Sequence, residues 1–279
     1  MVTERAWLAA AAARLSAAGC EDGAFDARCL MEDIGGLPRG REAGDRPLTA
    51  AVEEKLTAAL RERADGRPLQ YILGEWEFLT LTLRVGEGVL IPRQDTECLC
   101  ETAAERLHGI PSPRVLDLCA GSGCVGLGIA SLCPTAAVTA VELSEEALPY
   151  LRANVERYPA YAVTVRQGDV LVDWADFEDG FDAIVSNPPY IPTNQLSSLM
   201  REVQHEPRMA LDGDADGLRF YRVITEHWSR KLRAGGFCAV EVGYDQASAV
   251  AALFTKAGLR QVEIRRDYAG VERAVCGVR

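Results

Sequence analysis

From about residue 94 onward, this 279-residue chain alternates short apolar runs with longer amphipathic stretches, and this alternation constrains its fold most strongly. The apolar runs predict buried strands and the amphipathic stretches predict helices. Because parallel strands need a crossover helix between them, the order predicts a doubly wound α/β fold with a seven-stranded, mostly parallel sheet and an antiparallel end. The predicted strands are Arg114–Leu118, Ala137–Val141, Ala162–Arg166, Asp182–Ser186, Gly236–Val242, Gln261–Arg266 and Arg273–Gly277. The predicted helices of this region are Cys124–Cys133, Glu145–Tyr158, Leu218–Leu232 and Gln246–Ala257.

The N-terminal region has a different, purely helical pattern. Its apolar residues recur at helical spacing, and Gly and Pro breaks separate the segments. We therefore predict a small all-helical domain over residues 1–70, a β-hairpin linker over residues 71–93 and the α/β domain over residues 94–279. The three predicted N-terminal helices are Thr3–Ala18, Ala24–Gly35 and Thr49–Arg63.

The composition is acidic, with 41 Asp and Glu against 30 Lys and Arg and a formal net charge of −11. This balance argues against sequence-independent binding of nucleic acid, which depends on neutralising phosphates with Lys and Arg. The nine cysteines and three histidines have no zinc-site spacing, so we expect no metal, and reduced thiols in a cytoplasmic protein. The alanine-rich run Ala9–Ala13 is followed by Arg14 and is interpreted as helix. No stretch approaches the roughly 20 apolar residues of a membrane span.

The segment Asn187-Pro188-Pro189-Tyr190 directly follows a predicted buried strand. Its prolines have no N–H and fix φ, so the carbonyls of Asn187 and Pro188 lack a partner in the sheet. Open α/β sheets bind their ligands at the carboxyl ends of strands. The segment therefore predicts a rigid turn whose acceptors hold a planar –NH2 group, although a bare Pro-Pro pair is also typical of an ordinary proline-capped loop.

A glycine-containing turn follows the first strand of the α/β domain, in the segment Asp117–Cys124. Gly121 and Gly123 allow a ligand to approach the backbone, and the next helix offers free N–H groups. Asp117, near the strand end, could face a ligand ammonium group. The turn lacks the full G-x-G-x-x-G spacing, which makes pyrophosphate binding the weaker interpretation.

Acidic residues follow the next two predicted strands. Glu142 stands about 20 residues after the glycine turn, the spacing at which an acid can accept hydrogen bonds from ribose hydroxyls. Asp169 follows the third strand and could accept a hydrogen bond from an adenine amino group. Taken alone, Glu142 could equally be a helix-capping or surface acid, and Asp169 a turn aspartate.

Together, the four strand ends resemble those of class I S-adenosylmethionine-dependent methyltransferases, in which Asn-Pro-Pro-Tyr marks enzymes that methylate an amide or exocyclic amine nitrogen. The chain most resembles the protein-(glutamine-N5) methyltransferases of peptide-chain release factors, the HemK/PrmC family. The segments that carry the resemblance are Arg67–Gly74, Val89–Glu97, Asp117–Cys124, Ser186–Ile191, His205–Pro207 and Arg265–Tyr268.

The resemblance implies S-adenosyl-L-methionine as cofactor and class I peptide-chain release factors as protein substrate, methylated on the glutamine of their Gly-Gly-Gln loop. The catalytic residues that it implies are Asn187, Pro188 and Tyr190. The implied cofactor-binding residues are Asp117, Cys119, Ala120, Gly121, Ser122, Gly123, Glu142, Leu143, Asp169, Val170 and Asn187. The implied substrate-binding residues are Asn187, Pro188, Pro189, Tyr190, Arg93 and Thr96. The helical domain would dock the release factor, and we expect a monomer without direct nucleic-acid or membrane contacts.

The chain departs from the family at three places. Gln94 replaces a usual proline, Leu79-Thr80-Leu81 lacks a usual glycine, and Val170 stands where an aromatic ring often lies beside the adenine. The sequence also leaves two other functions open. One is a nucleic-acid methyltransferase acting on adenine or cytosine amines, and the other is a catalytically silent cofactor-binding scaffold.

Overall fold

The computed structural model describes residues 2–279, and the chain divides into two compact units. The helical unit consists of the chain up to Glu75 together with Met200–His205. The sheet unit consists of Trp76–Leu199 and Glu206–Arg279. The sequence did not predict that residues 200–205 belong to the helical unit.

The helical unit contains the three predicted helices, each started by a side-chain cap. Thr3, Asp22 and Thr49 accept hydrogen bonds from the backbone N–H three residues later, as N-cap residues do. A short fourth helix occupies residues 69–73, and its last three residues, 71–73, were predicted as linker. The helices are α1 (Glu4–Ala17), α2 (Gly23–Asp33), α3 (Ala50–Ala64) and α4 (Leu69–Leu73). Their apolar faces meet in a core formed by Trp7, Leu15, Leu30, Met31 and Leu56.

The sheet unit has the predicted strand–helix alternation. Its strands are β1 (Glu75–Phe78), β2 (Leu81–Arg84), β3 (Arg114–Leu118), β4 (Ala137–Glu142), β5 (Ala162–Gln167), β6 (Phe181–Ser186), β7 (Leu232–Glu241), β8 (Arg260–Arg266) and β9 (Glu272–Val278). Its helices are α5 (Glu97–Leu107), α6 (Cys124–Leu132), α7 (Leu148–Arg157), α8 (Arg208–Leu211), α9 (Arg219–Glu226) and α10 (Ala247–Lys256).

The main sheet has seven strands in the order β5-β4-β3-β6-β7-β9-β8, which confirms the predicted fold class. The pairs from β5 to β7 are parallel, and β9 runs antiparallel to both β7 and β8. Strands β1 and β2 form a separate two-stranded sheet. Leu79, in the turn between them, has φ +51°, the left-handed region in which the family's usual glycine would be unstrained.

Both faces of the sheet are covered, as expected for parallel strands. Val115 and Val185 point to one face and pack with α5 and α6. Leu116 and Ile184 point to the other face and pack with α9 and α10. The strand order reverses between β3 and β6, which is the switch point where such sheets bind ligands.

The predicted helix Leu218–Leu232 is shorter in the structure, and β7 begins earlier than predicted. Helix α9 ends at Glu226, and a 3-10 turn follows over Trp228–Lys231. Trp228 is fully buried and its Nε1 donates to the Val170 carbonyl at 2.8 Å. This anchor turns the chain toward the sheet, a tertiary effect that helical periodicity does not encode. Within residues 2–279, no helix has the length and apolar character that crossing a bilayer requires.

Candidate active site

A cavity of about 380 Å³ lies in the sheet unit, at the carboxyl ends of β3, β4, β5 and β6. This is a normal size for a small-molecule site. Most of the predicted site residues line it: Arg93, Thr96, Cys119, Ala120, Gly121, Ser122, Glu142, Leu143, Asp169, Val170, Asn187 and Pro189. Four predicted residues are absent from its lining: Asp117, Gly123, Pro188 and Tyr190.

The glycine turn after β3 follows a left-handed backbone path. Cys119, Gly121 and Gly123 have φ of +60°, +55° and +85°. A Cβ built on Gly121 has no heavy atom within 4 Å, so the space above this residue is open. A Cβ on Gly123 would lie 2.6 Å from Leu151 Cδ1. Gly121 therefore provides an open cradle for a ligand, whereas Gly123 allows close packing of the turn on α7.

Glu142, the last residue of β4, is held in place by the backbone. Its Oε2 accepts from Gly121 N at 2.7 Å and its Oε1 from Ser144 N at 2.7 Å. Each carboxylate oxygen has two acceptor positions, so both oxygens keep capacity for a further donor. A fixed carboxylate with spare acceptors at the cavity wall suits a pair of ribose hydroxyls.

Asp169 and Val170 form the wall after β5. Asp169 Oδ1 accepts from Leu171 N at 2.8 Å, and Asp169 N donates to Asp173 Oδ2 at 2.7 Å. Val170 is buried and contributes apolar surface to the cavity. Together with the side chain of Leu143, these residues offer an acceptor and two apolar surfaces for a planar base.

Asp117 is fully buried beneath the turn and ties β3 to α6. Its Oδ2 accepts from Gly126 N at 2.9 Å, and its Oδ1 has no hydrogen-bond partner among residues 2–279. Burial raises the pKa of Asp117 to about 8. Its role toward a ligand ammonium group stays a prediction, although the unpaired oxygen is the kind of acceptor that such a group satisfies.

Asn187, which directly follows β6, presents its amide at the cavity. Its Nδ2 donates to Thr96 Oγ1 at 3.2 Å, so the amide oxygen is the free end. Pro188 is buried, and its carbonyl receives no hydrogen bond within the described part of the chain. The turn thus presents two free acceptors, the side-chain oxygen of Asn187 and the carbonyl of Pro188.

Tyr190 does not line the cavity, and its side chain reaches Glu241 instead. Its hydroxyl donates to Glu241 Oε1 at 3.3 Å, and its carbonyl accepts from Gln246 Nε2 at 2.9 Å. Burial raises the pKa of this phenol, which therefore stays a neutral donor. These contacts fix the turn, while direct packing of the ring against a substrate stays a prediction.

The loop that carries Arg93 and Thr96 is held by ion pairs that the sequence did not reveal. Arg93 pairs with buried Glu206, whose Oε2 also accepts from Ile91 N at 3.0 Å. Arg273 contacts Asp95 Oδ2 at 2.9 Å. The same Arg273 contacts Asp267 Oδ2 at 3.1 Å. In sequence, the one signal for Glu206 and Asp267 is that both fall in segments that resemble the family.

Two regions of the chain match family models. Residues 6–74 match the PrmC N-terminal domain, and residues 94–214 match the methyltransferase small domain. The release factor glutamine methyltransferase of Moorella thermoacetica is 39% identical, with 100% of this chain and 99% of the relative covered. The chain belongs to the release factor glutamine methyltransferase family. The relative from Caulobacter vibrioides is 37% identical over 99% of this chain and 96% of its own length.

A solved structure supports the fold independently. The catalytic domain of hMettl16, crystallised with the MAT2A 3′UTR hairpin 6, aligns over 91% of both chains with a TM-score of 0.60. Because the two sequences are only 14% identical, this likeness concerns the fold alone.

The cofactor of this methyltransferase is S-adenosylmethionine, and the cavity residues fit it. The open cradle at Gly121 admits a ligand close to the backbone. Glu142 and Asp169 provide acceptors for hydroxyl and amino groups, and Leu143 and Val170 provide apolar surface. Residues 2–279 contain no group of three or more His, Cys, Asp or Glu side chains placed to hold a metal ion.

Proposed function

We propose that this enzyme transfers the methyl group of S-adenosylmethionine to the side-chain amide nitrogen, N5, of the glutamine in the Gly-Gly-Gln loop of class I peptide-chain release factors. One observation carries the proposal: the amide of Asn187 is tied to Thr96 through its nitrogen and keeps its oxygen free at the cofactor cavity. The names of the full-length relatives from M. thermoacetica and C. vibrioides support this substrate class.

Positioning is the main task of the protein in this reaction. An amide nitrogen is a weak nucleophile because its lone pair is delocalised into the carbonyl. S-adenosylmethionine supplies a methyl group on a positively charged sulfur, a strong electrophile whose carbon–sulfur bond breaks as the new bond forms. Asn187 Oδ1 and the Pro188 carbonyl accept the two N–H groups of the glutamine, which aims its nitrogen at the methyl carbon.

The same acceptors act on charge that develops during transfer. As the nitrogen forms its bond to carbon it becomes more positive and its protons become more acidic. Acceptors fixed in advance stabilise this charge, and one such group contributes on the order of 10²–10³ in rate by analogy with oxyanion-hole donors. One of the two protons then leaves, and the product is a neutral secondary amide. No dedicated base is required because the methylated nitrogen is strongly acidic before that proton leaves.

We propose different roles for the parts of the chain. We assign substrate docking to the helical domain of residues 1–70, the linker role to residues 71–93 and methyl transfer to residues 94–279. We further propose that the enzyme works as a cytoplasmic monomer. Its net charge of −11 favours encounter with a partner that carries basic faces, an effect mainly on association rate.

The main alternative is methylation of an adenine or cytosine amine in nucleic acid, which Asn-Pro-Pro-Tyr also serves. The acidic composition disfavours it, because binding a phosphate backbone needs clustered Lys and Arg. Mass spectrometry of a purified class I release factor incubated with enzyme and S-adenosylmethionine tests the proposal. We expect a mass gain of one CH2 group on a single loop glutamine, and a far slower gain with the Asn187→Ala enzyme.

Parallel incubations with DNA and transfer RNA complete the experiment. Methyl transfer to nucleic acid with an unmodified release factor would overturn the proposal in favour of the amine methyltransferase. Absence of S-adenosylmethionine binding in calorimetry would instead favour the catalytically silent scaffold.

A further inference from the structure

Glu241, the last residue of β7, is a buried acid without an assigned role beside the Asn187–Tyr190 turn. It is 1% exposed, and its Oε1 accepts from the Tyr190 hydroxyl at 3.3 Å. Its Oε2 is buried without a partner of good geometry among residues 2–279. The Thr96 hydroxyl lies near this carboxyl and lowers its pKa, although no hydrogen bond of ordinary length and angle joins the two. Glu241 is therefore bonded to the Asn187–Tyr190 turn and lies near the loop that carries Thr96.

The donors and acceptors of Asn187, Thr96 and Glu241 determine which end of the Asn187 amide faces the cavity. Thr96 Oγ1 accepts from Asn187 Nδ2, so the single hydroxyl proton of Thr96 is available for another acceptor. An ionised carboxylate is an acceptor only. With Glu241 ionised, its carboxylate can accept a hydrogen bond from Thr96, so that donation would run from the Asn187 amide to Thr96 and from Thr96 to Glu241. This order leaves Asn187 Oδ1 as the end that faces the cavity.

We propose that Glu241 is a positioning residue whose ionised carboxylate acts through the Thr96 hydroxyl to keep the oxygen of the Asn187 amide turned toward the substrate. The inference rests on the proposed function, since it explains why Asn187 presents an acceptor rather than its –NH2 group. Glu241 itself does not touch the substrate.

A purely structural role would not require a carboxylate here. Burying an acid is costly, and a neutral side chain of similar volume is often as good for stability. The Arg273 guanidinium is close enough to favour the charged form of Glu241, but its hydrogen bonds go to Asp95 and Asp267. The acid is therefore only partly compensated, which is typical of a group kept for its chemistry.

Protonation of Glu241 would reverse the direction of the hydrogen bonds. A protonated carboxyl donates to Thr96, whose own proton then turns toward Asn187. The Asn187 amide flips to accept it, so its –NH2 group faces the –NH2 group of the glutamine. The –NH2 groups of Asn187 and of the glutamine are then two donors facing each other, and the Asn187–Tyr190 turn no longer binds the glutamine amide.

The surroundings of Glu241 set the pH at which this happens. Burial raises its pKa to about 7, while Thr96, Arg273 and Tyr190 lower it and Asp95 raises it. Two thiols, that of buried Cys100 and that of partly exposed Cys124, also interact with it electrostatically. The hydroxyl of Tyr221 donates to its backbone carbonyl at 2.8 Å. Because the ionised form is the active one, kcat should rise as pH rises through about 7.

Three variants test the proposal: Glu241→Gln, Thr96→Val and Thr96→Ser. Gln and Val keep the volume but remove the carboxylate or the hydroxyl, and Ser keeps the hydroxyl. We expect Glu241→Gln and Thr96→Val to lower kcat roughly 10- to 100-fold, less than the 10²–10³ for removal of a direct contact. Affinity for S-adenosylmethionine should not change, Thr96→Ser should retain most of the rate, and Glu241→Gln should lose the rise of kcat with pH. Native kcat in Glu241→Gln, or equal losses in Thr96→Ser and Thr96→Val, would overturn the proposal.

A second readout does not depend on any methylation reaction. Hydrogen exchange of the Asn187 side-chain –NH2 group, assigned by its loss in Asn187→Ala, reports the bond to Thr96 directly. We expect protection in the native enzyme and in Thr96→Ser, and faster exchange in Thr96→Val and Glu241→Gln. If the native enzyme failed to methylate release factors, the proposed function would fail while this pattern still tested the orientation. Unchanged exchange in both variants would refute the positioning role.

Discussion

Ser186 and Leu118 end two neighbouring parallel strands in register, and the Ser186 hydroxyl donates to the Leu118 carbonyl at 2.7 Å. This bond links the strand that leads into the glycine turn to the strand that leads into Asn187. The Gly121 turn and the Asn187–Tyr190 turn are therefore placed by one pair of strands rather than by flexible loops. Sites built on rigid elements hold their geometry best.

Replacing Ser186 by alanine tests this connection. The change leaves the Leu118 carbonyl without its side-chain donor in a fully buried place. We expect a loss of about 1–3 kcal/mol in the free energy of unfolding. Urea unfolding measures this loss. Ser131→Ala is a suitable control, because the Ser131 hydroxyl donates a comparable bond of 2.7 Å to the Gly128 carbonyl but lies at a partly exposed position in a helix. Equal stability of the two variants would show that the Ser186 bond is not important for the fold.

Asn187→Ala should separate catalysis from cofactor binding. It removes one acceptor for the glutamine amide, and we expect kcat to fall on the order of 10²–10³. Binding of S-adenosylmethionine should change little, because the acceptors predicted for its sugar and base, Glu142 and Asp169, lie at the end of β4 and just after β5. Single-turnover kinetics and calorimetry measure the two effects. Asn194→Ala, which removes an amide from the exposed turn that follows, should behave as the native enzyme. Near-native turnover in Asn187→Ala would contradict the assignment of this residue.

Much of this site could be predicted because its parts are local in sequence. The apolar run before Asn187 identifies a buried strand, and the prolines after it identify its end. The glycine turn and Glu142 are likewise each next to a strand. Since parallel strands present their carboxyl ends at one edge of the sheet, local signals were enough to bring these segments together.

The partners of these residues could not be predicted in the same way. The bond between Thr96 and Asn187 joins positions 91 residues apart, and Glu241 lies 51 residues beyond Tyr190. Such pairings depend on tertiary packing, and no periodicity in the sequence encodes them. The same reason explains the helix that ends before Trp228, where a long-range anchor overrides the local pattern.

Gly121→Ala should weaken cofactor binding specifically. Gly121 has φ +55°, and a Cβ there would occupy the open space at the cavity. Gly109, at φ +83° in a turn after α5, also has no atom within 4 Å of a built Cβ but does not line the cavity. Both alanine variants should lose about 1–2 kcal/mol of stability from left-handed strain. Only Gly121→Ala should raise the Kd for S-adenosylmethionine, measured by calorimetry. An equal effect of the two changes on Kd would argue against the cradle.

The buried carboxyl of Asp117 should make stability depend on pH. Its pKa is raised from 3.8 to about 8 in the folded protein, so the folded state binds a proton that the unfolded state has released. This contribution to stability is largest at low pH and is lost as pH rises toward about 8. Glu241 makes the same kind of contribution, but only up to its own pKa of about 7. Between about 7 and about 8, the change of stability with pH therefore comes from Asp117. Thermal unfolding of Asp117→Asn, which stays neutral, should show a flatter pH profile than the native enzyme. Identical profiles would contradict a raised pKa.

Arg63 should be a main support of the helical unit, through two acids that lie far away in sequence. Its Nε donates to Asp26 Oδ2 at 2.6 Å and its Nη2 to Glu202 Oε1 at 2.9 Å, with Arg63 itself 6% exposed. Replacing it by Met leaves Asp26 buried without its partner, and such losses cost about 3–5 kcal/mol. The segment 200–205 also loses the ion pair between Glu202 and α3 and keeps the bonds of Arg201 to the carbonyls of Ala64 and Asp65, so trypsin should cleave after Arg201 faster.

The exposed ion pair of Arg5 with Asp45 provides the matched control. These side chains are 68% and 81% exposed and lie 3.8 Å apart. Because exposed pairs contribute about 0–1 kcal/mol, Arg5→Met should leave thermal unfolding and trypsin sensitivity almost unchanged. Both variants remove one arginine charge from an ion pair, so their comparison separates the effect of burial from the effect of losing a charge. If both variants unfolded at the native temperature, the buried pair would contribute no more than a surface one, and residues 200–205 would need another anchor.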